Sequence, residues 1–333
     1  MTVLEAIQKS TGFLDKKNVE SPRLQTELLL AHLLKMPRMK LYLNFDRVLT
    51  AAETDALRES IRRRGQREPL QHITGSTSFC GHEIIVNRNV LVPRPETELL
   101  AELGWQFINQ AGIPAGTPGS GTTTRRPSRD ALTVLDFCTG SGCIAIALAA
   151  KCPQAKIVAT DISTAALALA GENAAKNQVA ERIEFLAGDG FAALVNSENG
   201  NAPQPQNNPE DGSRGRPPHQ RQDLPRLFDL IISNPPYIPS AEIATLDPEV
   251  RDFDPGLALD GGPDGLDFYR RLAIGSPPFL KPEGKIMLEF GDGQAEAIKK
   301  IFEDEKWVVE AVKEDYSQRA RILIIKSSSS SSS

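Results

Sequence analysis

Thr133-Val134-Leu135-Asp136-Phe137, then Cys138-Thr139-Gly140-Ser141-Gly142, then Cys143-Ile144-Ala145-Ile146-Ala147 is the stretch that decides the fold. An apolar strand ends in a glycine-rich turn, where glycines let the backbone bend sharply and come close to a ligand. A helix begins directly behind it and offers unpaired N–H groups to an anion. Outward from this unit the chain keeps alternating. Strands are expected at 133–137, 155–161, 182–188, 229–233, 284–290, 307–313 and 320–326, and helices at 143–151, 163–177, 264–280 and 293–304. Alternation of this kind implies parallel βαβ units in a doubly wound α/β sheet. Such sheets bind ligands outside the carboxyl ends of their strands.

Three of those strand ends suit a nucleoside. The first loop lacks the G-x-G-x-x-G spacing of a dinucleotide fingerprint. It carries an acidic residue, Asp136, two positions before the turn, as methyltransferases do to engage a methionyl amine. Asp161 ends the second strand, where a carboxylate accepts from ribose hydroxyls; read alone, it serves equally well as an N-cap for the helix near Ser163. Gly188-Asp189-Gly190-Phe191 follows the third strand, and Asp189 is suited to accept from an exocyclic amine. No phosphate loop with Lys-Ser/Thr is present, which argues against ATP or GTP. S-adenosyl-L-methionine is the expected cofactor, with Asp136, Cys138, Thr139, Gly140, Ser141, Gly142, Asp161, Asp189 and Gly190 as its candidate binding residues.

Asn234-Pro235-Pro236-Tyr237 follows the apolar strand Asp229-Leu230-Ile231-Ile232-Ser233. Two prolines remove two backbone donors and fix φ, so the turn is rigid. The Asn234 carboxamide oxygen and the Pro235 carbonyl are two acceptors for one –NH2 group, and Tyr237 offers a flat face to a planar amide or base. Asn234, Pro235 and Tyr237 are the expected catalytic residues, Pro236 completes the substrate turn, and Asn234 is also counted with the cofactor set. The tetrapeptide by itself does not separate adenine, cytosine, guanine and glutamine.

A net charge of -5 argues against broad coating of nucleic acid, while 40% hydrophobic and 24% charged residues are ordinary for a soluble globular chain of 333 residues. Cys80, Cys138, Cys143 and Cys152 lack C-x-x-C spacing, so neither zinc nor a disulfide framework is expected. No apolar run approaches the ~20 residues of a membrane span, and a cytoplasmic location is expected. Before the sheet, Thr2-Val3-Leu4-Glu5 and Thr50-Ala51-Ala52-Glu53 have capping-box spacing, and Ser21-Pro22 opens a further helix. Apolar stripes on these helices predict a small bundle. The expected organisation is a helical domain at 1–72, a β-hairpin linker at 73–92, and a sheet domain at 93–326. That last domain carries polar insertions at 112–130 and 197–225, and a serine tail follows at 327–333. Arg62, Arg63, Arg64 and Arg67 form a basic cluster that fits either a nucleic-acid contact or a solvated helix end. Glu96 and Glu98 either border the site or favour the first turn of a helix. Glu289 either faces the crevice or is a solvated strand terminus. Phe253-Asp254-Pro255 and Leu257-Ala258-Leu259 are expected to shape a loop over the acceptor.

The order of Glu68-Pro69-Leu70-Gln71-His72-Ile73-Thr74-Gly75, Phe79-Cys80-Gly81, Val90 through Glu98, the glycine loop and Asn-Pro-Pro-Tyr resembles the HemK/PrmC family. These are protein-glutamine N5-methyltransferases acting on peptide chain release factors. Pro93-Arg94-Pro95-Glu96-Thr97-Glu98 is the most discriminating piece. The resemblance implies a class I Rossmann-like S-adenosylmethionine-dependent methyltransferase domain behind a helical domain that grips the release factor. It implies the glutamine of the Gly-Gly-Gln loop of class-1 release factors as acceptor, a monomer, and no stable nucleic-acid binding. A nucleic-acid amino-methyltransferase of the N6-adenine type, using the same tetrapeptide, is the alternative. One departure stands out: members of the family usually have glycine where this chain has Cys138, and a cysteine predicts an ordinary backbone region there.

Overall fold

Capping chemistry sets where the first helices begin. The Thr2 and Thr50 side chains accept from the N–H groups of Glu5 and Glu53, each of which reaches back to the capping residue's own N–H. These boxes open α1 (Val3–Asp15) and α4 (Ala51–Gly65). Between them lie α2 (Pro22–Leu33), with Pro22 in its first turn, and the short α3 (Arg38–Leu41). Val3, Ile7, Leu14, Leu29, Leu30, Leu41, Leu57 and Ile61 form one buried cluster among these helices. Each such side chain is worth about 1.5–3 kcal/mol buried, more than a capping interaction of about 1 kcal/mol. Packing therefore holds the bundle, and the caps fix its boundaries.

The structure is a computed structural model that describes residues 1–112, 132–198 and 226–328. Nearly all of the insertions expected at 112–130 and 197–225, and most of the 327–333 tail, lie outside the described residues. After α5 (Leu70–Thr74), β1 (Ser76–Phe79) and β2 (His82–Ile85) form an antiparallel hairpin turned at Cys80-Gly81, both at positive φ.

The chain divides into two compact units, Met1–Pro95 with Pro236–Leu266, and Glu96–Pro235 with Asp267–Ser333. In the second unit, α6 (Pro95–Gly112) precedes β3 (Leu132–Phe137), α7 (Cys143–Lys151), β4 (Ala155–Asp161), α8 (Thr164–Lys176), β5 (Ile183–Ala187), α9 (Ala192–Glu198) and β6 (Phe228–Ser233). The chain then passes through 236–266, which carries the short α10 (Pro248–Arg251) and belongs to the first unit. It returns as α11 (Asp267–Gly275), β7 (Leu280–Glu289), α12 (Ala295–Asp304), β8 (Trp307–Glu314) and β9 (Ala320–Ser327).

The sheet order is β5-β4-β3-β6-β7-β9-β8. The first five strands are parallel, and β9 and β8 close one edge antiparallel. This is the Rossmann-like arrangement of a class I methyltransferase domain, with the switch point between β3 and β6. Val134, Leu135, Leu230, Ile231, Ile232, Ile286 and Leu288 are fully buried, as continuous apolar runs in a parallel sheet require. Two expectations differ from the observed elements. The helix expected at 264–280 is only Asp267–Gly275, because Pro277 and Pro278 stop it and form a separate tight turn. The helix α9 was not expected at all, since its seven residues are too few to show a period. Among the described residues no helix is long and apolar enough to cross a membrane.

Candidate active site

Five adjacent strand ends bring together most of the residues singled out from the sequence. In sheet order they are Asp189 and Gly190 after β5, Asp161 at the end of β4, Asp136 and the 138–142 loop at β3, Asn234 after β6, and Glu289 closing β7. The register pairs Phe137 with Ser233, and the Ser233 hydroxyl donates to the Phe137 carbonyl, so the β3 and β6 ends are locked side by side.

Asp136 has no solvent exposure. Its Oδ2 accepts from the Thr139 hydroxyl at 2.6 Å and from the Ala145 N–H at 3.1 Å, in the first turn of α7. Its Oδ1 is buried without a hydrogen-bond partner among the described residues. Burial pushes this carboxyl up to about 7, against the pull of the Thr139 and Ala145 bonds. Such a group is poised to gain a cationic or N–H partner.

The loop itself corrects one expectation. Cys138 does not occupy an ordinary backbone region: its φ is +62°. The left-handed region costs a non-glycine residue about 1–2 kcal/mol. The neighbouring contacts impose it, because Thr139 N–H donates to the Thr160 carbonyl at 2.9 Å while its hydroxyl reaches back to Asp136. Gly140 and Gly142 also have positive φ, and a Cβ at Gly142 would come within 3.0 Å of Ala170 Cβ. Ser141 is buried, and its carbonyl accepts from Asn173 Nδ2 at 3.0 Å. Burial pushes the Cys138 thiol well above its usual value, so it is not a nucleophilic thiolate.

Asp161 organises this loop from the neighbouring strand. Its Oδ2 accepts from the Gly140 N–H and its Oδ1 from the Ser163 N–H, both at 2.9 Å. It is not the N-cap of α8: Ser163 is, through its hydroxyl and the Ala166 N–H. Asp189 is exposed and ion-paired with Arg271 on α11. Gly190 has a φ of +62°, which favours glycine, whereas the same guanidinium, 2.8 Å from a Cβ built there, is the movable end of a long side chain.

At the end of β6, Asn234 Nδ2 donates to the Thr97 hydroxyl at 3.0 Å, while Oδ1 is buried with no partner among the described residues. Glu289 is only 3% exposed, so it is no solvated terminus. Burial and the Glu96 charge push its carboxyl up to about 7, opposed by hydrogen bonds from Thr97 and Asn234 and by the Arg321 charge. Glu96 and Glu98 lie in the first turn of α6, Glu96 exposed and Glu98 half-buried. Thr97 between them is the residue that sequence reading passed over. It entered only as one member of the discriminating hexapeptide, and its burial reveals a use of its own.

Pro236 and Tyr237 open the segment that belongs to the first unit. There Ile238 N–H donates to the Leu259 carbonyl at 3.0 Å, and Gly261 N–H to the Ile238 carbonyl at 2.9 Å. A Cβ at Gly261 would lie 2.8 Å from Tyr237 Cα, so only glycine lets these two stretches meet. Arg94 of the discriminating hexapeptide pairs with buried Asp254 at 2.8 Å, and Arg88 lies over the Phe253 ring. The 253–259 loop is thus fastened to Arg88, Arg94 and Ile238 within its own unit. The four clustered arginines are also accounted for. Arg62 pairs with Glu59, Arg63 with Glu68, and Arg64 and Arg67 both with Glu249.

Residues 5–75 match the model of the PrmC N-terminal domain, and residues 124–200 match that of the methyltransferase small domain. The release factor glutamine methyltransferase of Geobacter sulfurreducens is 38% identical over 301 residues, covering 90% of this chain and 88% of that protein. That of Chlorobaculum tepidum is 37% identical over 296 residues, covering 89% and 87%. That of Rhodospirillum rubrum is 36% identical over 306 residues, covering 92% and 79%. With likeness of this extent in both parts of the chain, and with these strand ends in this order, the protein belongs to the release factor glutamine methyltransferase family.

Proposed function

We propose that this chain transfers a methyl group from S-adenosylmethionine to the side-chain nitrogen of the glutamine in the Gly-Gly-Gln loop of class-1 release factors. The observation that carries the proposal is the buried, unpartnered Asn234 Oδ1 at a strand end beside the glycine loop. It is an acceptor in need of an N–H donor, and a carboxamide –NH2 is such a donor.

The residues at the β3, β4 and β5 ends fit the cofactor. Asp136 Oδ1 is an orphaned acceptor for an ammonium group, and positive-φ Gly140 and Gly142 keep the loop surface free of side chains. Asp161 and Asp189 retain lone pairs for hydroxyl and amine donors. When bound, S-adenosylmethionine supplies an electrophilic methyl group on its sulfonium. Asn234 Oδ1 and the Pro235 carbonyl hold the two N–H bonds of the acceptor amide and turn its lone pair out of conjugation. Tyr237 and Pro236 give the amide plane a surface to lie on. Most of the rate then comes from orientation, and no strong base is required before transfer because the nitrogen becomes acidic as it takes up the methyl. Glycines beside the acceptor glutamine suit a narrow site, having no side chains to exclude.

We assign residues 1–72 to gripping the release factor, 73–92 to the linker and 93–326 to catalysis, acting as a monomer in the cytoplasm. That Arg62, Arg63, Arg64 and Arg67 all face carboxylates favours a protein acceptor over nucleic acid. Tritiated S-adenosylmethionine offered together with purified release factor, its glutamine-to-alanine variant, DNA and RNA tests the proposal. Label is expected on the unmodified release factor alone. Label on nucleic acid with none on the release factor would overturn it.

A further inference from the structure

The orientation of a carboxamide is a chemical question, because its oxygen and nitrogen are nearly equal in size and opposite in polarity. Asn234 serves an incoming N–H only with its oxygen outward. Inside the sheet unit its Nδ2 is spent on the Thr97 hydroxyl, 3.0 Å away. A hydroxyl has one proton to give. Thr97 is only 3% exposed, and it hydrogen-bonds the carboxyl of Glu289, which is buried to the same degree. Asn234 hydrogen-bonds the same carboxyl, and in its ionised form, above about pH 7, Glu289 can only accept from both. With the Thr97 proton committed to Glu289, the oxygen of Thr97 can only accept from Asn234, and the carboxamide nitrogen must face inward.

We propose that Thr97 and Glu289 are positioning residues whose one-way hydrogen-bond chain fixes Asn234 with its Oδ1 toward the acceptor nitrogen. This inference rests on the role given to Asn234 above. The chain is itself well held: the Glu289 carbonyl accepts from the fully buried Tyr269 hydroxyl at 2.8 Å, and Phe290 N–H donates to the Arg321 carbonyl at 3.0 Å. Glu289 sits at the last position of β7, Asn234 directly after β6, and Thr97 in the first turn of α6. Three separate elements therefore meet on one carboxamide. A buried carboxyl at a strand end, far up in its titration range, is costly for stability, and orienting Asn234 is a reason for it.

The test compares Thr97→Val, which keeps the shape and removes the hydroxyl, with Thr97→Ser, which keeps the hydroxyl, and with Glu289→Gln, which can donate an N–H back to Thr97. Release-factor methylation gives kcat and KM, equilibrium dialysis of S-adenosylmethionine gives cofactor affinity, and thermal melting reports the fold. Thr97→Val and Glu289→Gln should each lower kcat about 10- to 100-fold, as for a misplaced positioning group. Cofactor Kd and release-factor KM should stay within about twofold, and Thr97→Ser should recover kcat to within about threefold. A Thr97→Val enzyme with wild-type kcat, or one that loses cofactor affinity as much as turnover, would overturn the inference. If Thr97→Val melts far below the wild type, Glu289→Gln and Thr97→Ser decide: a normal kcat in Glu289→Gln, or a loss in Thr97→Ser equal to that in Thr97→Val, overturns it. Wild-type enzyme that never labels the release factor would instead defeat the proposed function, so the two failures are distinguishable.

Discussion

Glu27, Glu68 and Glu249 in the helical unit each meet guanidinium groups, whereas Asp136 and Glu289 in the sheet unit make no ion pair among the described residues. Burial acts on all five in the same direction. It is the partners that differ. Arg23 and Tyr42 hold Glu27 below the usual range, Arg63 does so for Glu68, and Arg67 with Arg64 for Glu249. Asp136 and Glu289 are left near 7. Asp254 stands between: Arg94 contacts it, yet burial still pushes it to about 6. A buried charge with its partner in place is finished structure. A buried oxygen without one also occurs at Thr26, Asp254 and Ser276; at Asp136, Asn234 and Glu289 three of them gather at neighbouring strand ends, which is where an incoming donor fits.

The sharpest break of this comparison is Asn234→Ala, which removes the unpaired acceptor. Transfer should fall on the order of 10³-fold, as when a positioned polar group is lost from a reacting centre, with cofactor affinity nearly intact. Equal loss of both, measured by dialysis beside turnover, would move Asn234 from the acceptor clamp to the cofactor site. On the paired side, Arg64→Met should cost about 3 kcal/mol, because Glu249 and the Glu68 carbonyl lose a buried donor. Hydrogen exchange should show the loss in α4 and around α10. Methylation by the enzyme that remains folded should proceed at a near-normal kcat.

The unpaired and the paired carboxyls should also respond to pH with opposite sign, with Asp254 of the helical unit, at about 6, siding with the unpaired ones. A carboxyl whose folded pKa is raised carries extra proton in the folded state, so its contribution is present below about pH 4 and is lost as pH rises to about 7. Asp136 and Glu289 should each make the sheet unit about 3–4 kcal/mol less stable at pH 8 than at pH 4, and Glu289→Gln should flatten about half of that slope. Glu68 and Glu249, with depressed values, stabilise the helical unit above about pH 4.5 and lose that contribution as pH falls further. Peptide-resolved hydrogen exchange across this range separates the units; identical profiles would remove the distinction. The smallest effect concerns the strained loop. Cys138→Gly should raise stability by roughly 1 kcal/mol by relieving the left-handed backbone, measured as the shift in the melting transition.

Much of this was readable beforehand. The helix caps at Thr2 and Thr50, the strands flanking Asp136 and Asn234, and the glycine turn follow from local chemistry and apolar pattern. What was misread depended on distant neighbours. Cys138 looked incompatible with positive φ because propensity ignores the contacts that Thr139 makes to Thr160 and Asp136. Asp161 fitted a cap as well as a ribose carboxylate, and only the structure gives the cap to Ser163 and turns Asp161 to Gly140. The arginine run looked like a charged surface, yet Arg64 is 4% exposed and pairs with a residue 185 positions away.

Sequence alone determined the alternating elements, the order of the motifs and the kind of acceptor they suit, because periodicity, capping and proline geometry act over a few residues. Tertiary structure alone decided which polar atoms were satisfied. Thr97, Asn234 and Glu289 are far apart in the chain, and of the three only Asn234 had a definite role from its sequence context. Whether a buried oxygen is paired depends on what folding places beside it.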